Sequence, residues 1–283
     1  MALIGFPLWL GDRKRLATRI RETLEAGFDF VELSFDYPWP IPDSSTPRSI
    51  AKAVQDAGLS LAIHGSWRDV RLASPIDHVR EASVKYLIET LEIARELDPM
   101  YILFHVSTDQ AIREAQEYED VIIKAATSST RTILKAALEM GLTAFFENIP
   151  SQFCGSIDHV KKIFMDVEEA KLCFDIGHAQ AYMVRANRGK GVNIQEVVDQ
   201  WFRELGALIR GVHVYDCLAQ GKWIDEHIAP TISSPSIKAL VTTIDNTKTR
   251  LDFVVIEAFQ DREGNDARPA SLDKVVEYLK RSL

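Results

Sequence analysis

The sequence is poor in several things, and each shortage excludes something. It has three cysteines, Cys154, Cys173 and Cys217, widely spaced and with no CxxC pair. That spacing excludes a disulfide scaffold and suits a reduced compartment. Basic residues are outnumbered, 33 Lys and Arg against 41 Asp and Glu, for a formal charge of −8. A broad electrostatic grip on nucleic acid or an anionic membrane is therefore disfavoured. No apolar run reaches the length of a bilayer span. The opening MALIGFPLWL is apolar but short, with no basic residue ahead of it, unlike a signal peptide. The expectation is a cytoplasmic protein with no membrane partner. Internal repeats and low-complexity linkers are missing too. A glycine-rich phosphate loop does not follow the first apolar run, which reads GFPLWLGD. That argues against a doubly wound dinucleotide fold.

What is present is ordinary globular material: 283 residues, 46% hydrophobic and 26% charged. Short apolar runs alternate with longer segments of helical period. The runs Leu3–Leu8, Phe30–Leu33, Ser60–His64, Tyr101–His105, Thr143–Glu147, Lys171–Asp175, Gly211–Tyr215 and Asp252–Glu257 read as strands. Helical period marks Arg13–Ala26, Ile76–Glu96, Tyr118–Met140, Ile157–Val167, Ile194–Leu208 and Ser271–Leu283. Glycine stop signals close EAGF, DAGL and EMGL. Eight alternating units predict parallel strands with crossover helices, closed as a single-domain (β/α)8 TIM barrel over residues 1–283. The proline-rich 36–47 and the stretch from Cys217 to about Pro235 read as long loops.

The predicted strand ends carry unusual residues. His64 and His105 end the third and fourth strands, Glu147 the fifth, Asp175 the sixth and Glu257 the eighth. His213 lies near the end of the seventh and His178 lies three residues past the sixth. Asp225 and His227 form DEH after the seventh. In a parallel barrel all nine converge on one rim. Charged and imidazole groups flanking core strands are costly unless paired or bound to a metal. Taken singly, His64, His105 or His213 reads as a hydrogen-bonded strand end, and Glu147 or Glu257 as a helix cap or an arginine partner. Together, imidazoles and carboxylates suit an open catalytic centre for zinc, manganese, cobalt or iron. His78 and His159 lie outside this pattern and read as surface residues. Trp9, Phe35, Tyr37, Trp39, Trp67 and Trp223 are aromatics expected near the rim, and Arg68, Arg71 and Lys222 could meet a phosphate there.

The chain resembles the xylose-isomerase-like barrel superfamily, which holds sugar-phosphate isomerases and epimerases as well as endonuclease IV. The likeness runs through GFDFVEL (27–33), IHGSW (63–67), LASP (72–75), LFHVS (103–107), FENIP (146–150), CFDIGHA (173–179), GVHVYD (211–216), DEH (225–227) and VIEAF (255–259). The resemblance implies metal ligation by His64, His105, Glu147, Asp175, His178, His213, Asp225, His227 and Glu257, the nine positions of a trinuclear endonuclease IV-like site. In the isomerase and epimerase branch it implies one metal on Glu147, Asp175, His213 and Glu257, with Glu147 and Glu257 also the catalytic acid–base pair. Substrate contacts are implied for Trp67, Arg68 and Gln152.

The loops separate the branches. DYPWPIPD stands where the nuclease has a polar, arginine-bearing loop, and Val-Ser-Thr follows His105 in place of Pro-Gly-Ser. Trp67 and Gln152 match the nuclease. IAPTISS replaces the Gly-x-Gly turn after DEH, which leaves the placement of Asp225 and His227 to the tertiary structure. The expectation is an enzyme dependent on a divalent metal, zinc or manganese, with one to three ions. It acts on a small sugar or sugar phosphate by proton transfer next to a carbonyl. The alternative is an abasic-site endonuclease, with DNA as partner only in that case. Oligomeric state is open.

Overall fold

The computed structural model describes residues 1–283 apart from 10–11, 13–14, 37–44, 107–114, 152, 187–190 and 221–222, and apart from the side chains of 115–116, 219–220 and 223–226. Eight parallel strands close a barrel: β1 (Leu3–Leu8), β2 (Phe30–Ser34), β3 (Ser60–His64), β4 (Ile102–His105), β5 (Ala144–Glu147), β6 (Leu172–Asp175), β7 (Ile209–Val214) and β10 (Phe253–Ile256). Each pairs with its neighbour in chain order, and β10 closes on β1 through Leu3–Phe253, Ile4–Val254 and Gly5–Val255. The predicted strands are all present, with ends shifted by a few residues at most. The TIM barrel is the fold of this chain.

Helices α1 (Leu16–Glu25), α2 (Ser45–Asp56), α3 (Asp77–Arg95), α4 (Glu119–Glu139), α5 (Ile157–Phe164), α6 (Ile176–Ala186), α7 (Ile194–Leu205), α8 (Pro235–Thr247) and α9 (Asp273–Ser282) accompany the strands. Outward strand residues such as Val31, Leu33, Phe104, Phe146, Phe174 and Val212 join the helices in one large apolar core. Inward residues form a second, separate cluster of Phe30, Ala62, Tyr101, Leu103, Phe145, Cys173, Phe253 and Val255. Two cores on either side of one sheet follow from the two-residue period of a strand. The small residue Gly211 makes the inner cluster fit, because a Cβ there would meet the Phe253 ring at 2.1 Å.

Three helices escape the sequence reading. Helix α2 follows directly on the proline-rich stretch. In α8, proline begins the helix, a favourable first-turn position that sequence reading took for loop. Helix α6 starts on the residue after β6, and its early Gly177 weakens the helical pattern. The glycine is required there, since a Cβ would lie 2.1 Å from the Tyr215 ring. The expected loop after β7 is instead an antiparallel hairpin of β8 (Asp216–Gln220) and β9 (Trp223–Ile228). Asp216 anchors it, accepting from the hydroxyls of Ser234 (2.6 Å) and Ser236 (2.8 Å) and from Arg262 (3.1 Å). Among the described residues no helix is long and apolar enough to cross a membrane.

Candidate metal centre

At the carboxyl ends of the strands the inner layer changes character. Glu32, His64, His105, Glu147, Asp175, His213 and Glu257 stand two residues beyond Phe30, Ala62, Leu103, Phe145, Cys173, Gly211 and Val255. All but His105 are buried, and its side chain is only 13% exposed. Their ligand-type atoms fall into three overlapping groups, each within 4.8 Å: His64, His105 and Glu147; Glu147, Asp175, His213 and Glu257; and Glu32, His64 and Glu257. Glu147 is the hub, with Oε2 3.4 Å from His105 Nε2, 3.5 Å from His213 Nδ1 and 3.8 Å from His64 Nε2.

His178 and His227 flank this group. His178 Nδ1 lies 3.0 Å from Glu147 Oε1 and 3.5 Å from Asp175 Oδ2, and His227 Nδ1 lies 3.6 Å from Glu257 Oε2. Their rings are 6.0 Å apart and nearly perpendicular. Asp225 sits in β9, but its side chain lies outside the described residues, as does all of Gln152. Eight of the nine ligand positions suggested by the sequence thus share one end of the barrel.

Local structure aims these groups. Asp175 caps α6, its Oδ1 accepting from the His178 backbone N–H at 2.5 Å, while Oδ2 has no hydrogen-bond partner. Asn148 clamps it: the amide donates to the Asp175 carbonyl (2.9 Å) and Oδ1 accepts from the Asp175 N–H (2.8 Å). His227 is held at φ +61°, the left-handed region that non-glycine residues seldom adopt. The Phe259 N–H donates to its carbonyl at 2.8 Å, and its ring is packed between Tyr215 (4.1 Å) and Phe259 (4.5 Å).

Glu147, Asp175 and Glu257 would repel as bare carboxylates, and the cluster adjusts. Burial alone would raise Glu147, but His213, His105 and His178 outweigh it and hold it well below the usual carboxylate range. Burial is likewise overcome at Glu257 by His213 and His227, which bring it to about 2. Asp175 goes the other way, pushed well above its ordinary value by burial and by Glu147 and Glu257, against His178 and His213. Burial would lower His213, yet Cys173, Glu32, Glu147 and Glu257 lift it well above its usual value. The site therefore favours positive charge at its centre.

A divalent cation fits these residues. Both Glu147 oxygens, His105 Nε2, Asp175 Oδ2, His213 Nδ1 and Glu257 Oε2 are buried without a hydrogen-bond partner. Buried polar atoms are normally satisfied, and orphans gathered at one point are the donor set a cation would satisfy. The imidazoles are oriented as metal ligands usually are, with the distal nitrogen fixed by a neighbour. The Nδ1 atoms of His64, His178 and His227 each lie 3.0 Å from a backbone carbonyl, those of Gly65, Asn148 and Glu257, and His64 turns Nε2 toward Glu147. No cysteine belongs to the group.

A cavity of about 340 Å³ opens onto the cluster, lined by Trp9, His64, Trp67, His105, Ile149, Pro150, Ser151, His178, His227 and Glu257. Trp67 stacks on His105 at 5.9 Å, and Trp9 meets the edge of Phe259 at 4.7 Å. Arg68 lies over the Trp67 ring at 4.2 Å and is bound to Asp36 at 2.5 Å, so its charge is already matched.

Two sequence expectations need correction. Phe35 is fully buried in the outer core and is not a rim aromatic, because β2 directs it away from the opening. His159 is not a surface residue: its side chain is 12% exposed, and Nε2 is 3.8 Å from Glu119 of α4, a carboxylate distant in sequence. His78 is exposed, as expected. Tyr37, Trp39, Lys222 and the Trp223 side chain lie outside the described residues. Glu32 and Asn148 were missed as members of the site. Each sits inside a motif already noticed, GFDFVEL and FENIP, as a polar residue on or beside a core strand, which was the available signal.

Comparison with known proteins agrees with the architecture. The model of the xylose isomerase-like TIM barrel family matches residues 20–282, and the chain belongs to that family. A curated relative, a probable endonuclease 4 of Aquifex aeolicus, is 24% identical over 188 residues, a match spanning 63% of this chain and 62% of that protein. Among solved structures, a D-allulose 3-epimerase from Methylomonas sp. in complex with D-allulose superposes with a TM-score of 0.73 at 14% identity, over 100% of this chain and 97% of that one. Endonuclease IV from Thermus thermophilus superposes with a TM-score of 0.62 at 20% identity, over 99% and 97%.

Proposed function

We propose that this xylose isomerase-like barrel is a divalent-metal-dependent isomerase or epimerase of a sugar or sugar phosphate. The observation that carries this reading is the pairing of Glu147 and Glu257, two ionised carboxylates in one buried group with Asp175 and His213, beside a cavity large enough for a monosaccharide. The superposition on a sugar epimerase supports it. Glu147, Asp175, His213 and Glu257 would hold zinc or manganese. When bound, the cation polarises carbonyl and hydroxyl oxygens and stabilises charge developing on them. Glu147 and Glu257 take a proton from the carbon next to the carbonyl and return it. Trp67 and Trp9 wall the cavity against the apolar face of the sugar and exclude water. Arg68, held by Asp36, would complete the substrate contacts.

The test is deuterium incorporation. Metal-loaded protein in D2O is offered ketoses, aldoses and their phosphates, and exchange at the carbon beside the carbonyl is followed by NMR. Exchange is expected for one of them and is lost in Glu257→Gln. A fully active Glu257→Gln protein would sink the assignment.

A second reading has its own support. Glu147 belongs also to the His64, His105 and Glu147 group, and His178 and His227 lie alongside, so the residues could hold more than one ion. In that case Glu147 would be a ligand to the ions and not a base. The curated relative named a probable endonuclease 4 favours this reading. Ions held there would supply charge neutralisation for an in-line phosphodiester displacement. Cleavage of a duplex carrying one abasic site, abolished in Glu147→Gln, would establish the nuclease and displace the first proposal.

A further inference from the structure

His213 is oriented differently from its neighbours. His64, His178 and His227 each hold Nδ1 3.0 Å from a backbone carbonyl. His213 instead turns Nε2 to a carboxylate, Glu32 Oε2 at 3.3 Å. Its Nδ1 faces Glu257 Oε2 at 3.3 Å and Glu147 Oε2 at 3.5 Å, with no hydrogen bond to either. A cation taken up at Nδ1 would leave the remaining ring proton on Nε2, where the Glu32 carboxylate can accept it.

Glu32 is itself fixed from below. It is 1% exposed on the inner face of β2, and its Oε2 also accepts the Tyr101 hydroxyl at 2.5 Å. The Tyr101 ring is locked in the aromatic layer, stacked on Phe253 at 4.0 Å and flanked by Phe145 at 5.3 Å. Burial, followed by the charge of Glu32, raises the phenol well above its ordinary value, so the hydroxyl remains a donor. Glu32 also comes within reach of His64 and Glu257. Its Oε2 serves two donors, the Tyr101 hydroxyl and the His213 ring, which ties it to the back of His213.

We infer that Glu32, held by Tyr101, is a positioning residue that makes His213 present Nδ1 to the cation while its Nε2 proton is bound from behind. The carboxylate raises the donor strength of the imidazole and stops the ring from turning. This inference rests on the metal reading of the site. It does not depend on whether the substrate is a sugar or DNA. Loss of such a partner behind a metal-bound histidine costs about 10- to 100-fold in affinity.

The experiment uses the full chain stripped of metal, with zinc as the probe. Zinc affinity is measured by chelator competition in the wild type, Glu32→Gln and Tyr101→Phe, and folding is checked by circular dichroism. In the zinc-loaded wild type, nitrogen-15 NMR of labelled histidine reads which His213 nitrogen carries the proton. The expected result is a proton on Nε2, about 10- to 100-fold weaker zinc in Glu32→Gln, and a smaller loss in Tyr101→Phe. A proton on Nδ1, or wild-type affinity in a folded Glu32→Gln, overturns the inference. A wild type that binds no zinc overturns the metal reading instead. Should Glu32→Gln fail to fold, the wild-type tautomer and Tyr101→Phe still decide the matter.

Discussion

The inside of this barrel holds two layers that differ in everything except the strands that carry them. In the lower layer Phe30, Tyr101, Phe145 and Phe253 stack at ring separations from 4.0 to 6.2 Å and satisfy one another. In the upper layer His64, His105, Glu147, Asp175, His213 and Glu257 are almost as buried, yet several of their polar atoms have no hydrogen-bond partner. The step between the layers is two residues, about 6.6 Å along a strand. The lower layer is complete as folded, whereas the upper layer keeps buried polar atoms that a cation would satisfy. The Tyr101 side chain links the two, with its ring below and its hydroxyl on Glu32.

The largest test of this contrast is chemical. Replacing Glu257 by Gln in the upper layer should lower turnover about 100- to 10,000-fold, read from initial rates, while the cation still binds weakly. Its counterpart below is Phe145→Ala. That change should cost about 3–5 kcal/mol in a urea unfolding curve, and the folded protein should keep its cation. If Phe145→Ala instead emptied the site at little cost in stability, the two layers would not be separable.

Chelation addresses the upper layer alone. A ligand present at 100 times its Kd adds about 2.7 kcal/mol to unfolding, so removing zinc or manganese should lower the melting temperature accordingly. Chelation without effect on a metal-loaded sample would mean that the upper layer is as self-sufficient as the lower. The smallest expected effect is Gly211→Ala. The new methyl group would press on the Phe253 ring, and overpacking of this kind costs about 1–3 kcal/mol. Denaturant midpoints would show it, and stability equal to wild type would mean that the aromatic layer is looser than its stacking indicates.

Much of this was legible in the sequence. The strands were visible because each is a short apolar run, and the helix stops because Gly27, Gly58 and Gly141 all take positive φ. His64, His105, Glu147, Asp175 and Glu257 stood out because polar residues rarely end such runs. The rest was hidden for specific reasons. Glu32 looked like an ordinary polar position in a strand, since its partners Tyr101 and His213 are 69 and 181 residues away. His159 looked exposed because Glu119 is on another helix. The β8–β9 hairpin was read as loop because its anchor, Asp216, meets Ser234, Ser236 and Arg262 only after folding.

By itself, the sequence determined the barrel and the ring of polar residues at its mouth. Both follow from local periodicity, the alternation of strand and helix and the two-residue alternation within a strand. Only the tertiary structure decided how those residues are aimed: which carbonyl holds each of His64, His178 and His227, which Asp175 oxygen caps α6, and that Glu32 meets both Tyr101 and His213. Aim depends on hydrogen bonds between segments far apart in the chain. Such bonds leave no periodic trace, because each is made once, between two particular residues brought together by the closed sheet.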